Sequence, residues 1–107
     1  MMKRGEVWWV NFDPSIGDEI RKKRPAVIIS NNAANQFLNR IQVVPLTSSV
    51  GKLYPSEAYI TLRGKKAKAM ADQLTTVSKE RLINQAGSVS KTEMESLERA
   101  IMIQLDL

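Results

Sequence analysis

The segment Pro25 to Ser30 constrains the fold more than any other part of the chain. Its centre, Ala26-Val27-Ile28-Ile29, is apolar at successive positions and rich in β-branched residues. Such a run is typical of a β-strand that is covered on both faces. A proline is tolerated at the first position of a strand, where its missing N–H costs least. The sequence therefore predicts a buried central strand over residues 25–30.

Most of the remaining chain has the pattern of short strands joined by polar turns. Glu6 to Asp13 alternates, with Trp8, Val10 and Phe12 on one face, as expected for a strand. Asn31-Asn32 marks a turn, and Ser78 caps a single helical turn that ends near Leu82. Further strands are predicted over 41–46, 58–62, 66–70, 72–77 and 86–89. Short strands without long helical crossovers indicate an antiparallel sheet that closes on itself.

One longer helix is predicted at the end of the chain. Ser90 and Glu93 have the S-x-x-E spacing in which the serine caps the helix and the glutamate reaches back to it. A stripe of apolar residues at helical spacing follows, namely Met94, Leu97, Ile101 and Leu105. Alternate apolar residues from Ile101 to Leu107 also fit a strand, which leaves the end of the helix open. We expect one domain, residues 1–107, that is mainly β with a C-terminal α-helix covering one side.

The composition excludes several classes of chemistry. The 107 residues include no His and no Cys, which removes catalytic triads with histidine, paired-histidine ribonucleases, thiol nucleophiles and thiolate zinc sites. The acidic residues show no metal-binding spacing, so neither a metal nor another cofactor is expected. Sixteen Lys and Arg against eleven Asp and Glu give a net charge of +5, which favours an anionic partner such as nucleic acid.

The sequence gives no indication of export or membrane insertion. The apolar run Val7 to Val10 is shorter than the ~7 to 15 residues of a signal-peptide core. No stretch approaches the ~20 apolar residues that span a bilayer. We therefore expect a cytoplasmic protein that does not bind a membrane.

Four of the sixteen positive charges lie together in Arg21-Lys22-Lys23-Arg24. This run in a connection between two strands is either a solvated basic loop or a site that grips phosphate. Arg24 differs from its neighbours because it precedes Pro25 at the root of a buried strand. A guanidinium held in this way can bind a phosphate through two parallel hydrogen bonds.

Two other segments carry candidate polar side chains. In Pro45-Leu46-Thr47-Ser48 the hydroxyls appear where an apolar strand runs into a loop, and such hydroxyls often satisfy only the turn backbone. Asp72 and Gln73 interrupt an apolar segment. They either pair structurally or form hydrogen bonds with base edges.

Taken together in this order, four pieces of the sequence resemble the MazF/PemK/Kid family of type II toxins, the mRNA interferases. They are Arg4-Gly5-Glu6-Val7-Trp8 leading to Asp13-Pro14, Arg24-Pro25-Ala26-Val27-Ile28, Val43-Val44-Pro45-Leu46-Thr47-Ser48, and Asp72-Gln73. The resemblance spans nearly the whole chain. It implies an SH3-like, partly closed antiparallel barrel of the CcdB/PemK type, a homodimer, and metal-independent cleavage of single-stranded RNA. It also implies an antitoxin whose acidic, disordered tail covers the RNA groove.

The resemblance also implies roles for individual residues. Arg24 and Thr47 match the family's catalytic arginine and threonine, and Asp72 with Gln73 matches its aspartate–glutamine pair. The predicted RNA-binding residues are Arg21, Lys22, Lys23, Ser48, Asp72 and Gln73. Some members have an arginine and a histidine where this chain has Met70 and Asp18, so those contacts do not carry over.

Two other functions are compatible with the same fold. A toxin that blocks DNA gyrase would not need the Arg24 and Thr47 pair. A non-catalytic RNA-binding barrel would need only the basic surface. A cleavage assay separates both from a nuclease.

Overall fold

The computed structural model describes residues 2–107 as a mainly β protein with two α-helices. The strands are β1 (Glu6–Asn11), β2 (Lys23–Ile28), β3 (Arg40–Thr47), β4 (Glu57–Leu62), β5 (Lys65–Met70), β6 (Thr75–Ser78) and β7 (Leu82–Ser88). The helices are α1 (Asn32–Phe37) and α2 (Lys91–Leu105), and 3-10 turns at Ala71–Gln73 and Lys79–Arg81 flank β6. The predicted fold class, with a long helix at the end of a β domain, is confirmed.

All strand pairs are antiparallel, in the order β4-β5-β3-β2-β1-β7, with β6 added on β3. β3 has β2 along one edge, while along the other edge Arg40–Val43 pair with β6 and Leu46–Thr47 pair with β5. Pro45 lies between the residues of β3 that pair with β6 and those that pair with β5. A residue without an N–H is tolerated at such a break in a ladder.

The two ends of this strand order approach each other. A Cβ placed on Gly87 of β7 would lie 2.9 Å from Leu62 Cδ1 of β4. Next to this contact, Arg63 Nε donates a hydrogen bond to the Ala86 carbonyl oxygen at 3.0 Å. The sheet therefore curls until its edges meet at one point, which confirms the predicted partly closed barrel.

Apolar side chains pack on both faces of the central strands. Val27 and Val44 belong to one cluster, which α2 covers with the fully buried Leu97. Ile28 and Val43, their sequence neighbours, belong to a second cluster on the opposite face, because successive strand residues point to opposite sides. The prediction that the run after Pro25 is covered on both faces is confirmed.

Several local predictions differ from the structure. Asn31 does not only turn the chain: its Oδ1 accepts a hydrogen bond from the Ala34 amide at 2.8 Å and begins the short helix α1, which the sequence pattern did not reveal. The predicted strand over 72–77 is wrong in its first part, which is a 3-10 turn, and β6 begins only at Thr75. β1 ends at Asn11 and not at Asp13, and β7 already begins at Leu82. The helical turn capped by Ser78 is confirmed.

The ends of α2 show where the helix prediction was right and where it was wrong. Ser90 Oγ accepts a hydrogen bond from the Glu93 amide at 3.2 Å, as predicted. The Glu93 carboxylate does not reach back: its Oε2 accepts from the Thr61 amide at 2.8 Å and so ties α2 to β4. The apolar stripe is buried at Leu97, but Leu105 is 53% exposed. The last turn of α2 therefore extends beyond the core of the single chain.

Candidate functional site

Arg24 and Thr47, the two predicted catalytic residues, lie at the same end of neighbouring strands. The register pairs Ala26 of β2 with Pro45 of β3. Arg24 precedes Ala26 by two residues and Thr47 follows Pro45 by two residues, so both lie just beyond the paired part of the ladder, at the same end and on the same face. Both side chains are half-buried. The sheet thus brings together two residues that are far apart in sequence.

The Arg24 side chain is anchored through one of its nitrogens. Its Nε donates to the Arg21 carbonyl oxygen at 3.1 Å, and its backbone pairs with Val10 of β1. Within residues 2–107 its two terminal nitrogens form no hydrogen bond with the protein. A guanidinium has five N–H donors in a fixed plane, so four remain for a ligand.

The basic run is held by hydrogen bonds to the preceding loop. Lys22 adopts a positive φ of 67°. Its amide donates to Asp13 Oδ1 at 3.0 Å, and its carbonyl accepts from the Phe12 amide at 2.8 Å. Arg21 Nη2 donates to the Gly17 carbonyl oxygen at 2.6 Å. Lys22 and Lys23 are exposed. Lys23 directly precedes Arg24 in β2, so its side chain points to the opposite face, where it lines a second cavity with Asn11 and Arg81.

Thr47 has a structural contact that still leaves a donor. Its Oγ1 accepts a hydrogen bond from the Ser49 amide at 3.2 Å, which is the turn contact that such hydroxyls commonly make. A hydroxyl accepts and donates at the same time, so the Thr47 O–H can still donate to a ligand. Ser48 is exposed at the start of the loop that follows.

Asp72 and Gln73 line a separate cavity of about 380 Å³ between the β1–β2 loop and β6. Gln73 Oε1 accepts from the Ile20 amide, and its Nε2 donates to the Asp18 carbonyl, both at 3.4 Å. Asp72 is exposed at the wall of this cavity. Neither Arg24 nor Thr47 lines it. Of the candidate residues, the structure therefore places Arg24 and Thr47 at the same end of β2 and β3, and the aspartate and the amide in a separate cavity.

The β1–β2 loop connects these two places. Its residues Asp18 and Ile20 contact Gln73, whereas the backbone of Arg21 accepts the bond from Arg24. At the start of the loop, Arg81 donates to the carbonyl oxygens of Asn11 and Asp13. The same loop therefore contacts both Arg24 and the Gln73 side chain of the cavity.

Lys68 of β5 is a residue that the sequence analysis missed. The register pairs it with Thr47 on one side and with Tyr59 on the other, and it is only 7% exposed. The run Lys65-Lys66-Ala67-Lys68-Ala69 shows lysines at nearly alternate positions, which is also the pattern of a strand with one solvated face. Nothing in that pattern distinguishes the buried lysine from its exposed neighbours. Met70, where some family members have arginine, lies on the same face two residues further on.

The site offers cationic and hydroxyl donors and no metal-binding cluster. Among the described residues 2–107, no three acidic side chains gather where they could hold a metal ion. Over the same residues, no helix is long and apolar enough to cross a bilayer. Donors fixed by a sheet can stabilise negative charge that develops on a bound phosphate, and they do so without reorganising during the reaction.

The chain is similar in sequence to known proteins over nearly its whole length. The family model for the PemK-like, MazF-like toxin of type II toxin–antitoxin systems matches residues 3–105. The chain is 40% identical to Endoribonuclease MazF9 of Mycobacterium tuberculosis over 100% of this chain and 98% of that protein.

Solved structures show the same fold. MazF from Deinococcus radiodurans superimposes with a TM-score of 0.88 at 25% identity, covering 99% of this chain and 97% of that one. An endoribonuclease from a mycobacterial species, in complex with its cognate antitoxin, gives a TM-score of 0.84 at 23% identity, covering 100% and 97% of the two chains. From the match of fold and of sequence over its length, the chain belongs to the family of PemK-like, MazF-like toxins of type II toxin–antitoxin systems, and its class of activity is that of an endoribonuclease.

Proposed function

We propose that this protein cleaves single-stranded RNA at specific sequences, without a metal, by attack of a ribose 2′-hydroxyl on the adjacent phosphate. The products are a 2′,3′-cyclic phosphate and a 5′-hydroxyl end. The observation that carries the proposal is the placement of Arg24 and Thr47 on one face of β2 and β3, each with donors left for a ligand. The substrates are messenger, transfer or ribosomal RNA.

The proposed reaction needs positioning and charge stabilisation more than it needs a protein nucleophile. The 2′-hydroxyl loses its proton as its oxygen forms a bond to phosphorus, the bond from phosphorus to the 5′-oxygen breaks, and the leaving oxygen gains a proton, so the step releases no net proton. Arg24 holds the charge that grows on the phosphate oxygens and acts as stabiliser or acid. Thr47 donates a hydrogen bond to the same oxygens. DNA has no 2′-hydroxyl and should resist cleavage.

The remaining candidate residues bind the RNA on either side of the cleaved bond in this proposal. Arg21, Lys22 and Lys23 contact phosphates, which is supported by their positive charge and their exposure. Ser48 contacts the RNA strand next to the phosphate that Thr47 binds. Asp72 and Gln73 form hydrogen bonds with a base in the cavity of about 380 Å³ that they line, since carboxylate and amide groups match base edges.

The test is an RNA cleavage assay in EDTA with the parental protein, Arg24→Ala and a matched control, Arg40→Ala. Arg40 is an exposed arginine at the opposite end of β3, paired with Ser78, so its removal lowers the net charge by the same amount. Losing one preorganised donor typically reduces the rate by ~10² to 10³. We expect that loss for Arg24→Ala, parental cleavage for Arg40→Ala, and 5′-hydroxyl ends on every product.

Three results would contradict the proposal. Cleavage at the parental rate by Arg24→Ala would remove this residue from the mechanism. Binding without any cleavage of diverse single-stranded RNAs and tRNAs by the parental protein would instead favour a non-catalytic RNA-binding barrel. The absence of both binding and cleavage would favour a toxin that blocks gyrase.

The proposal includes two protein partners in the cytoplasm. An antitoxin with an acidic, disordered tail would cover the basic surface around Arg21 to Arg24, which is supported by the net charge of +5. A second copy of the chain would cover the end of α2. Four apolar side chains there are about half exposed or more, namely Met102, Ile103, Leu105 and Leu107, and such exposed apolar surface at the end of a helix favours an interface.

A further inference from the structure

We propose that Lys68 is a positioning residue that fixes the loop after Thr47 and thereby sets which RNA sequence is cleaved. This loop, residues 48–56, connects β3 to β4 and is called the 48–56 loop below. The inference deepens the proposed function, because it assigns a determinant of sequence preference to a residue that does not touch the reacting phosphate.

Lys68 holds the middle of this loop, at Lys52, through its ammonium group. Its Nζ donates to the Lys52 carbonyl oxygen at 2.8 Å and to Glu57 Oε1 at 3.0 Å. The side chains of Lys68 and Glu57 are only 9% and 12% exposed. A buried lysine is expensive unless it is paired and hydrogen-bonded. The pair therefore constrains where the loop backbone at Lys52 can lie.

Glu57 extends the same contact to the end of the loop. Its Oε1 also accepts a hydrogen bond from the Tyr54 amide at 2.9 Å, and the Glu57 amide donates to the Tyr54 carbonyl oxygen at 2.9 Å. The Tyr54 ring lies 5.9 Å from Lys68 Nζ, within reach of a cation–π contact. The Glu57 carboxylate and the Lys68 ammonium thus fix the loop backbone at Tyr54 and at Lys52.

Tyr59 holds the loop residues just before Lys52, from a position next to Lys68 in the sheet. It pairs with Lys68 in the β4–β5 register, and its hydroxyl donates to the Gly51 carbonyl oxygen at 3.0 Å and lies 3.3 Å from that of Val50. The loop is therefore attached at two points to side chains that continue the row of Arg24 and Thr47.

The 48–56 loop lies next to the proposed phosphate site, so its conformation can affect which RNA sequence is cleaved. The loop begins directly after Thr47, and Lys68 is the register partner of Thr47 in β5. An RNA whose phosphate lies on Arg24 and Thr47 must place its neighbouring nucleotides against this loop. Moving a positioned group by ~1 Å can cost ~10²-fold in rate, so a loop released from Lys68 would accept a different set of neighbours, or all of them less selectively.

The experiment compares Lys68→Met with Lys65→Met. Methionine keeps an unbranched, apolar side chain in place of the lysine stem but removes the ammonium. Lys65 lies on the same strand and is exposed, so its variant carries the same change in charge without affecting the loop. Each protein cleaves an equimolar mixture of the preferred RNA and RNAs that differ from it by one nucleotide. The readout is the ratio of their cleavage rates.

We expect Lys68→Met to lower this ratio about 10-fold, with faster amide hydrogen exchange at Tyr54 and Glu57. Lys65→Met should retain the parental ratio. The ratio is measured in one reaction, so it does not change when destabilisation merely lowers the amount of folded enzyme. If Lys68 had a purely structural role, Lys68→Met would lower the cleavage rates of the preferred RNA and of the altered RNAs by the same factor. A folded Lys68→Met protein with the parental ratio would overturn the proposal.

A second variant tests the same attachment with a smaller change. Tyr59→Phe removes only the hydroxyl that holds Gly51 and leaves the ring, over which Lys66 lies at 4.3 Å. It should lower the ratio about threefold, and it decides the question if Lys68→Met does not fold. A parental ratio in Tyr59→Phe would then overturn the proposal. If the parental protein itself did not cleave RNA, the proposed function would fail instead, and the amide exchange at Tyr54 would still report whether Lys68 holds the loop.

Discussion

Ile103 on α2 gives a quantitative test of the proposed dimer. It is 59% exposed in the single chain and lines an apolar cavity of about 500 Å³ with Leu53, Tyr54 and Ala100. Fully burying an isoleucine contributes ~1.5 to 3 kcal/mol. Only the exposed part remains to be buried by a partner, so truncation to alanine should cost about 1 kcal/mol per subunit.

A two-fold symmetric interface contains each residue twice. The expected loss for Ile103→Ala is therefore about 2 kcal/mol of dimerisation free energy, which weakens the dimer about 30-fold. Sedimentation equilibrium over a dilution series measures this change directly. Ile83→Ala is the matched control, because Ile83 lies on β7 and is 49% exposed.

The control should dimerise like the parental protein. An unchanged dissociation constant for Ile103→Ala would refute the reasoning that the end of α2 is the interface. A parental protein that stays monomeric at all concentrations would refute the dimer itself.

Two further predictions concern the RNA site. Thr47→Val keeps the shape of the side chain and removes its hydroxyl, so the cleavage rate should fall ~10²-fold in a single-turnover assay; an unchanged rate would limit Thr47 to its hydrogen bond with the Ser49 amide. The double variant Lys22→Ala/Lys23→Ala should weaken RNA binding moderately and reduce the slope of log affinity against log salt by ~1 to 1.5, since each neutralised phosphate of a single strand contributes ~0.7. Fluorescence anisotropy at several salt concentrations measures that slope, and a parental slope would exclude the two lysines from the binding surface.

Much of the fold follows from local patterns in the sequence. The strand after Pro25 is recognisable because its residues are apolar on both faces, and the structure buries Ala26, Val27 and Ile28 completely. The start of α2 is recognisable because Ser90 has a glutamate at the capping distance. Such signals depend on neighbours in sequence, so they survive without knowledge of the tertiary structure.

Other features depend on contacts between distant segments and were not predicted. Glu93 binds the Thr61 amide of β4, a partner that is 32 residues away and competes with the local capping contact. Lys68 is buried because Glu57 and the Lys52 carbonyl neutralise and solvate it. Neither partner can be identified from the spacing of the lysines along β5.

The placement of Arg24 and Thr47 at the same end of β2 and β3 shows how much the proposed catalytic site depends on strand register. A slip of one residue between β2 and β3 would turn one of the two side chains to the opposite face of the sheet. The apolar pattern fixes this register only weakly, because both faces of the two strands are apolar. The packing of particular pairs fixes it more firmly: Val27 and Val44 pack in one cluster, and Ile28 and Val43 pack in the other. Residues that carry no chemistry therefore decide whether the guanidinium and the hydroxyl can act on the same phosphate.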